Sequence, residues 1–411
     1  MSTIKVDKIT GRTGSAGASS PLQFNGDTLT LGTINSGVSL ASATLTGTTT
    51  LTGDLVPSTP LSHRNMIING AMNVYQRGSL AITQTNNGGF ALDRFKYNQS
   101  ASIGQWLGTM SQHAMSDAEV VTTGHINALK IVTTTVENGI DDDEYGYLIY
   151  NTEAQDCQNL CYGRSNAKSV TLSFWAKSKV AGNYGVTLYQ QDGSEMIGGV
   201  YTLVADTWKK VEITFAGNTG SNIVNDNGQG IQIKWGLIIK SDGDYAGTDN
   251  TSWGAYASGK LMHGHTAVWG TSTSHDFYLT GVQLEVGSNA TPFEHRSYGD
   301  ELSRCQRYYQ NSFAIGNVPG VSTVNEDSQI STSWTDGNAP FHNPFCTDMR
   351  AAPTVVLRGR GSTTTGEVNN GGTYRTASAT SPSTKGIAWI TVTSGTGGQY
   401  NAFTFELKAE L

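Results

Sequence analysis

Apolar and polar residues alternate in clear runs through the middle of the chain, at 170–177, 211–215 and 231–239. In the last run one face carries Ile231, Ile233, Trp235, Leu237 and Ile239, and the other carries Gln232, Lys234 and Ile238. A two-residue period places alternate side chains on opposite faces of a strand. Turn-forming pairs such as Asn-Gly and Asp-Gly separate the runs. The pattern predicts an antiparallel β-sandwich over residues 63–296, with Trp208 and Trp235 in its core by their phase.

The alternation shifts its phase within the run that begins near His275. Phe277 and Leu279 share one face, whereas the apolar positions on the next face begin at Val282. Gly281 stands at the step. Because glycine tolerates the backbone of an inserted residue, this slip predicts a β-bulge at Gly281.

The period becomes helical after Ser297, the predicted N-cap. Tyr298, Leu302, Cys305 and Tyr309 follow at i, i+4, i+7 and i+11. A helix shorter than about 12–15 residues is not stable alone. We therefore expect the junction helix, residues 297–310, to pack either against copies of itself on a trimer axis or against its own domain.

The two ends of the chain differ from the middle. Residues 1–62 contain one aromatic residue, Phe24, and scattered aliphatic residues among Ser, Thr and Gly. Such a segment is either a disordered linker or a fibrous β shaft whose aliphatic residues meet those of other copies; we favour the shaft. Residues 311–411 predict a small β tip domain with strands at 354–357, 387–392 and 403–407 and Gly-rich loops, and we expect this tip to bind the receptor.

Two blocks resemble the tail fibres and related receptor-binding proteins of tailed bacteriophages. The first is GVQLE at 281–285, followed by ATPFEHRSYGDEL at 290–302 and CQRYY at 305–309. The second is RNMIINGAMNVYQRG at 64–78, followed by LDRF at 92–95. The order of strands from 170 to 215 also resembles jelly-roll carbohydrate-binding modules.

The fibre resemblance implies an elongated, all-β homotrimer located in the virion, at the phage tail. It implies an N-terminus that attaches to other tail or baseplate proteins, and a surface that binds a host polysaccharide or protein receptor. The trimer comes from this resemblance, since composition only favours assembly. The implied mechanism is multivalent adhesion without catalysis.

Composition narrows the partners. The net charge is −7, charged residues are 14% of the chain, and no basic run occurs, so a nucleic-acid partner is not expected. No apolar stretch approaches a membrane span, and the first residues lack a signal-peptide core, so we expect synthesis in the host cytoplasm. The four cysteines are expected to be ordinary thiols.

Catalytic and metal motifs are sparse. No GxSxG or HExxH motif occurs, and no pair of carboxylates can be placed on facing strands, so we expect no enzyme. The acidic turns at 141–144 and 242–249 are possible calcium ligands, and His263, His265 and His275 are possible nitrogen ligands. We interpret both groups as structural and expect no metal and no cofactor.

Aromatic side chains that stack on sugar faces are the remaining candidates. The predicted receptor or glycan-binding residues are Tyr245, Trp253, Tyr256, Trp269, Trp334 and Tyr374. Packing between subunits is the competing explanation for each. For the whole chain, the alternatives to a receptor-binding fibre are a glycan-depolymerising tailspike, a virion adaptor or whisker without a receptor, and a secreted adhesin.

Overall fold

The computed structural model describes residues 62–83, 89–247, 250–319, 329–332, 338–340 and 345–411. One compact unit comprises Pro57–Leu411, and Met1–Val56 forms a separate unit outside the described residues. The predicted shaft, residues 1–62, therefore lies outside the described residues apart from its last position. Within the described ranges, none of the helices has the length and apolar character needed to cross a bilayer.

The regular secondary structure of the described residues is mainly β-strand, as the all-β prediction requires. In chain order the strands are β1 (Leu80–Ile82), β2 (Phe95–Gln99), β3 (Leu107–Ala114), β4 (Asn127–Thr135), β5 (Tyr145–Glu153), β6 (Val170–Ser178), β7 (Gly182–Gln190), β8 (Glu195–Leu203), β9 (Lys209–Phe215), β10 (Gln229–Ile239), β11 (Gly254–Ala255), β12 (Asp276–Val286), β13 (Tyr309–Asn311), β14 (Gln329–Thr332), β15 (Asn338–Pro340), β16 (Thr354–Gly359), β17 (Glu367–Asn370), β18 (Thr373–Pro382), β19 (Ile387–Val392) and β20 (Tyr400–Lys408). The α-helices are α1 (Asp117–Thr123) and α2 (Tyr298–Gln306), and short 3-10 helices occupy Ala154–Leu160 and Ser258–Lys260.

Two six-stranded antiparallel sheets form a sandwich. The first sheet has the order β1-β3-β4-β12-β6-β9, and the second has the order β11-β8-β7-β10-β5-β2. Large side chains from both sheets meet in one core, including Trp106, Phe174, Trp235 and Phe277, all at most 1% exposed. The alternating runs at 170–177, 211–215 and 231–239 are strands β6, β9 and β10, which confirms the prediction of a sandwich.

A third sheet contains the predicted strands of the tip. Its order is β13-β20-β17-β18-β19-β15, and β14 and β16 also pair with β20. Leu357, Ile390 and Phe403 are buried in a second, smaller core that contains no residue of the sandwich. The strands predicted at 354–357, 387–392 and 403–407 are therefore confirmed as β16, β19 and β20.

The bulge predicted in β12 is present. The pairing of β12 with β6 shifts register between Thr280 and Gln283, and Gly281 has a φ of 61°. That backbone conformation is unfavourable for a residue with a Cβ. A side chain at Gly281 would also meet the ring of His125. Glycine is thus required at this position by both backbone and space.

Two core predictions are wrong. The pairing of β10 with β5 shifts register between Gly236 and Ile238, so Ile238 joins the main core and Ile239 packs on the outer face. Trp208 lies outside the core, half-buried on the outer face of the first sheet, where its Nε1–H donates to Glu119 Oε1 at 3.0 Å. Strict alternation cannot foresee a bulge, and a tryptophan after a turn can lie against either face.

Helix α2 begins where the sequence predicts and ends earlier. The Ser297 side chain accepts a hydrogen bond from Asp300 N at 3.2 Å. The helix ends at Gln306, and Tyr309 starts β13, which pairs with β20. Cys305 and Tyr309 are completely buried in their own chain, so for these two the own-domain alternative holds, not the predicted trimer contact. Tyr298 is 47% exposed and Leu302 partly exposed, and their contact between copies stays a prediction.

Charged side chains join the sandwich to the third sheet. Glu410 forms ion pairs with Arg77 and Arg94, the latter at 2.8 Å. The Tyr308 hydroxyl donates to Glu153 Oε1 at 2.6 Å. Because all five residues are largely buried, the position 310/311 separates two hydrophobic cores that belong to one compact unit.

Candidate functional site: a tyrosine cluster on the second sheet

The long connection between β10 and β12 folds back over the outer face of the second sheet. Met262 N donates to Tyr245 O at 2.8 Å, and Gly198 N of β8 donates to Asn250 O. Gly185 and Gly236 occupy outward positions where a Cβ would lie within about 3 Å of Met262. The missing side chains let this connection lie directly on the sheet.

His265 fixes the end of this connection. Its Nδ1 accepts from Gly185 N at 3.2 Å, and its Nε2–H donates to Ala267 O at 2.9 Å. Both ring nitrogens are therefore used, and the imidazole is neutral in this arrangement. Complete burial lowers the pKa of His265 to about 4. His265 thus acts as a structural group, and not as part of the nitrogen site considered with His263 and His275.

Five tyrosines and one lysine collect on the rest of this face. We name them the tyrosine cluster: Tyr145 and Tyr147 of β5, Tyr189 of β7, Lys234 of β10, and Tyr245 and Tyr256 of the covering connection. Leu148, Tyr150, Val186, Leu188, Ile233 and Trp235 alternate with the strand members and point into the core. The strand members of the cluster therefore lie at outward-facing positions of three neighbouring strands.

The aromatic rings contact one another in pairs. Tyr145 stacks on Tyr147 with centroids 4.8 Å apart and an interplanar angle of 12°. Tyr245 meets Tyr145 edge-on at 4.9 Å, and Tyr256 meets Tyr189 edge-on at 5.5 Å. Tyr256 is 43% exposed. Rings held this way lose little further rotamer freedom on binding, which favours stacking on a ligand.

Lys234 lies at the centre of the cluster. Its Nζ is 5.2 Å from the ring centroid of Tyr147, 5.2 Å from that of Tyr189 and 5.7 Å from that of Tyr256. The residue is only 6% exposed, and burial lowers its pKa to about 8. Over the part of the chain that the structure describes, no carboxylate pairs with Lys234. It is still mainly protonated at neutral pH.

A polar strip continues from the lysine along the sheet. Gln232 lies beside Tyr189 and Asn151 in register, and its Nε2–H donates to Asn151 Oδ1 at 2.8 Å. Asn151 in turn donates to Leu411 O at 2.8 Å. The strip that includes Lys234 is thus bordered by the covering connection at one end and by the C-terminal residues at the other.

The predicted aromatic residues lie in different parts of the structure. Tyr245 and Tyr256 both join the cluster. Trp253 lies edge-on to Tyr162 at 5.6 Å and donates to Ala216 O at 2.6 Å, packed against the main core.

Three further candidates lie elsewhere. Trp269 is completely buried with its ring 5.8 Å from that of Trp106, so its prediction as an exposed sugar platform is wrong. Tyr374 is 46% exposed in the third sheet, where its hydroxyl donates to Arg360 O at 3.0 Å. Trp334 lies outside the described residues.

Four members of the cluster were missed from the sequence. Tyr145, Tyr147, Tyr189 and Lys234 sit in strands, on the phase that alternation assigns to solvent. The available signal was an excess of tyrosine on that phase, because a solvent-facing strand surface usually carries short polar or charged side chains. The prediction relies instead on aromatic residues in loops.

Metal ligands do not gather in the described parts of the chain, where no group of three or more His, Cys, Asp or Glu side chains is placed to hold an ion. In the acidic turns, Asp142 Oδ1 pairs with Lys240 Nζ at 2.6 Å.

No family model matches the chain, and no curated protein matches it. Among solved structures it is similar to a putative sugar-binding protein from Bacteroides thetaiotaomicron (15% identity, 55% of this chain and 100% of that one, TM-score 0.27). It is also similar to the family 11 carbohydrate-binding module of a Clostridium thermocellum cellulase (13%, 53% and 99%, TM-score 0.24) and to a cyclase from Fischerella (12%, 57% and 100%, TM-score 0.26). Likenesses this weak carry no argument about function.

Proposed function

We propose that the chain is a non-enzymatic tail-fibre component of a bacteriophage virion that binds a host-surface glycan through the tyrosine cluster. The observation that carries the binding role is the group of tyrosine rings, of which Tyr189 and Tyr256 are at least partly exposed, around an unpaired ammonium on the outer face of the second sheet. Tyrosine faces stack on sugar rings, and the amide of Gln232 offers hydrogen bonds to hydroxyl groups.

The virion role is supported by the two sequence blocks that resemble phage fibres. These blocks are far apart in the sequence, yet they contact each other closely. Arg296 Nη1 donates to Ile67 O at 2.9 Å, and Asn65 N donates to Glu294 Oε2 at 2.9 Å. Val282 N donates to Gly70 O at 2.9 Å. The two blocks therefore form one contact region, as expected if both belong to the same type of domain.

A fibre gains affinity by presenting several copies of one site. A single cluster of this size offers few contacts and would bind a sugar weakly. When several copies are fixed to one particle, the second contact forms at a high effective concentration, and overall affinity rises by about 10²–10⁴. The homotrimer implied by the resemblance would supply three sites.

Removal of the tip is an unsuitable test of this role, although it is the obvious one. Glu410, which follows β20, neutralises Arg77 and Arg94. Without residues 311–411 both guanidinium groups would lose their carboxylate partner, which is destabilising and would confound a loss of binding. Point substitutions that leave this contact intact are more informative.

The test compares two exposed surfaces on one protein. The double variant Tyr189→Ala/Tyr256→Ala should bind a bacterial glycan array at least about tenfold more weakly than the wild type, since each stacking ring contributes on the order of 1 kcal/mol. The control is Tyr374→Ala, whose ring is about as exposed as that of Tyr256 but belongs to the third sheet. Loss of binding in the control with retention in the double variant would contradict the proposed site.

Two further measurements test the rest of the proposal. Gold-labelled antibodies against the chain should mark tail fibres on intact particles, and labelling of the capsid alone would contradict the virion role. Bound glycan should keep its length after incubation with the protein. A shortened product would contradict the non-enzymatic assignment and favour a depolymerase.

A further inference from the structure

We infer that the tyrosine cluster selects a sugar that carries a carboxylate, such as a uronic or sialic acid, and that this carboxylate pairs with Lys234. The inference rests on the proposed function and adds the substrate class. It depends on the position of Lys234, which is 94% buried by the fold and has neither an ion pair nor a hydrogen bond within the described residues.

An ammonium in this position is costly for the fold. Removing a charge from water without a partner disfavours the native state. Cation–π contacts offset only part of that cost. The Nζ atom is not among the fully enclosed, unpartnered atoms of the described residues, so it keeps contact with solvent. We expect an anion to approach Lys234 from this solvent-facing side.

A second lysine shows what the same chain does when the role is structural. Lys177 lies on the outer face of the first sheet, over the rings of Trp208 and Tyr278 at 5.1 and 4.4 Å. Its Nζ pairs with Glu119 Oε1 at 2.6 Å. Lys234 has the same aromatic setting and even less exposure, but lacks the carboxylate. The missing partner is the group that a ligand would bring.

The surroundings favour one negative charge over two. Among the described residues, Lys234 is the one cation within cation–π distance of the rings of the cluster. A monoanion balances one ammonium, whereas a phosphate dianion would leave one negative charge without a partner in a largely buried, aromatic setting. Tyrosine and amide groups around the lysine supply hydrogen bonds for the remaining sugar oxygens. The arrangement therefore fits a carboxylate better than a phosphate.

The experiment measures binding of matched acidic and neutral probes by calorimetry at pH 7. The pairs are trigalacturonate with its methyl ester, and sialyllactose with lactose; mannose 6-phosphate is the phosphate probe. At least one carboxylate probe should bind the wild type about tenfold or more tightly than its neutral counterpart, because a charge-assisted contact contributes on the order of 1.5–3 kcal/mol. Lys234→Met should bind both members of that pair equally.

The matched control is Lys96→Met. Lys96 lies on the same face of the sheet, in register with Ile149, which also pairs with Lys234. Removing its charge should leave the acidic preference unchanged, and circular dichroism should show that both variants are folded. A general electrostatic effect would instead lower the preference in both variants.

The outcomes separate this inference from the proposed function. Equal binding of acidic and neutral probes, preference for mannose 6-phosphate, or an acidic preference that survives in Lys234→Met would each overturn the inference and leave glycan binding intact. If the wild type binds none of the probes, glycan binding by this cluster is contradicted as well.

Discussion

The two outer faces of the sandwich each carry a lysine enclosed by aromatic rings, and the two lysines differ in one respect. Lys177 on the first sheet is partly exposed and pairs with Glu119, which also accepts hydrogen bonds from Trp208 and from Ser116. Lys234 on the second sheet is 6% exposed and has aromatic contacts without a carboxylate. The same fold thus contains one lysine that pairs with a carboxylate and one that has no such partner among the described residues.

The physical consequence is that the two lysines should act on stability in opposite directions. Lys177 completes a network, since Glu119 would otherwise be a partly buried anion among aromatic groups. Proximity to Lys177 and the hydrogen bonds of Ser116, Trp208 and His113 hold the pKa of Glu119 far below its usual range, even though burial alone raises it. Lys234 pairs with no carboxylate among the described residues, so its buried charge destabilises the folded state. A ligand anion that pairs with it would remove this destabilisation.

The largest expected effect is the loss of the paired lysine. Lys177→Met should lower the free energy of unfolding by about 3 kcal/mol, because it leaves Glu119 without its cation. Urea denaturation at pH 7 measures this change. Adding Glu119→Gln to the same protein should recover part of the loss, since both charges are then absent. A Lys177→Met variant within about 0.5 kcal/mol of the wild type would show that the network contributes nothing.

Substitution of the unpaired lysine should instead stabilise the protein. Lys234→Met should raise the free energy of unfolding by about 2 kcal/mol at pH 7, because an unpaired charge is replaced by an apolar side chain of similar length. The same urea titration measures it, with Lys234→Arg as the control that keeps the charge and should give no gain. Destabilisation by Lys234→Met would indicate that the cation–π contacts outweigh the desolvation, and the contrast between the two lysines would fail.

The smallest expected effect is a dependence of stability on pH. The pKa of Lys234 is about 8 in the folded protein and 10.5 in its ordinary state, so between these values the unfolded chain binds more protons. Wild-type stability should therefore rise by about 1–2 kcal/mol from pH 8 to pH 9.5.

The rings of Tyr147, Tyr189 and Tyr256 face Lys234, and burial raises the pKa of Tyr147 and of Tyr256. Those two hydroxyls therefore stay protonated in this pH window. Melting curves of the wild type and Lys234→Met across the window isolate the lysine, because other groups cancel in the difference. A difference that does not change with pH would contradict the assignment.

Much of the fold follows from local sequence. Alternation identifies β6, β9, β10, β12, β16, β19 and β20, and Gly281 marks the bulge in β12. Ser297 marks the start of α2, because its hydroxyl can accept from the first turn. The end of that helix did not follow, since Tyr309 pairs with the distant β20 and tertiary pairing overrides the helical period.

The candidate site followed only in part. Tyr245 and Tyr256 were identified because loop aromatics near polar residues are conspicuous in a sequence. Trp269 looked equivalent and is buried, since whether a loop residue turns inward depends on what it packs against. Trp208 shows the reverse error, because its phase predicts a core position and the structure places it on the outer face of the first sheet.

The sequence by itself determined which side chains share a strand face, because the two-residue period is a property of the local backbone. It therefore determined that Tyr189 and Lys234 would lie opposite the core. Only the tertiary structure decided which outer positions would meet, because β5, β7 and β10 become neighbours through pairing between distant segments. It also decided that Lys177 would meet Glu119 while Lys234 would meet only tyrosine rings, since the partner of a charge is set by packing in space.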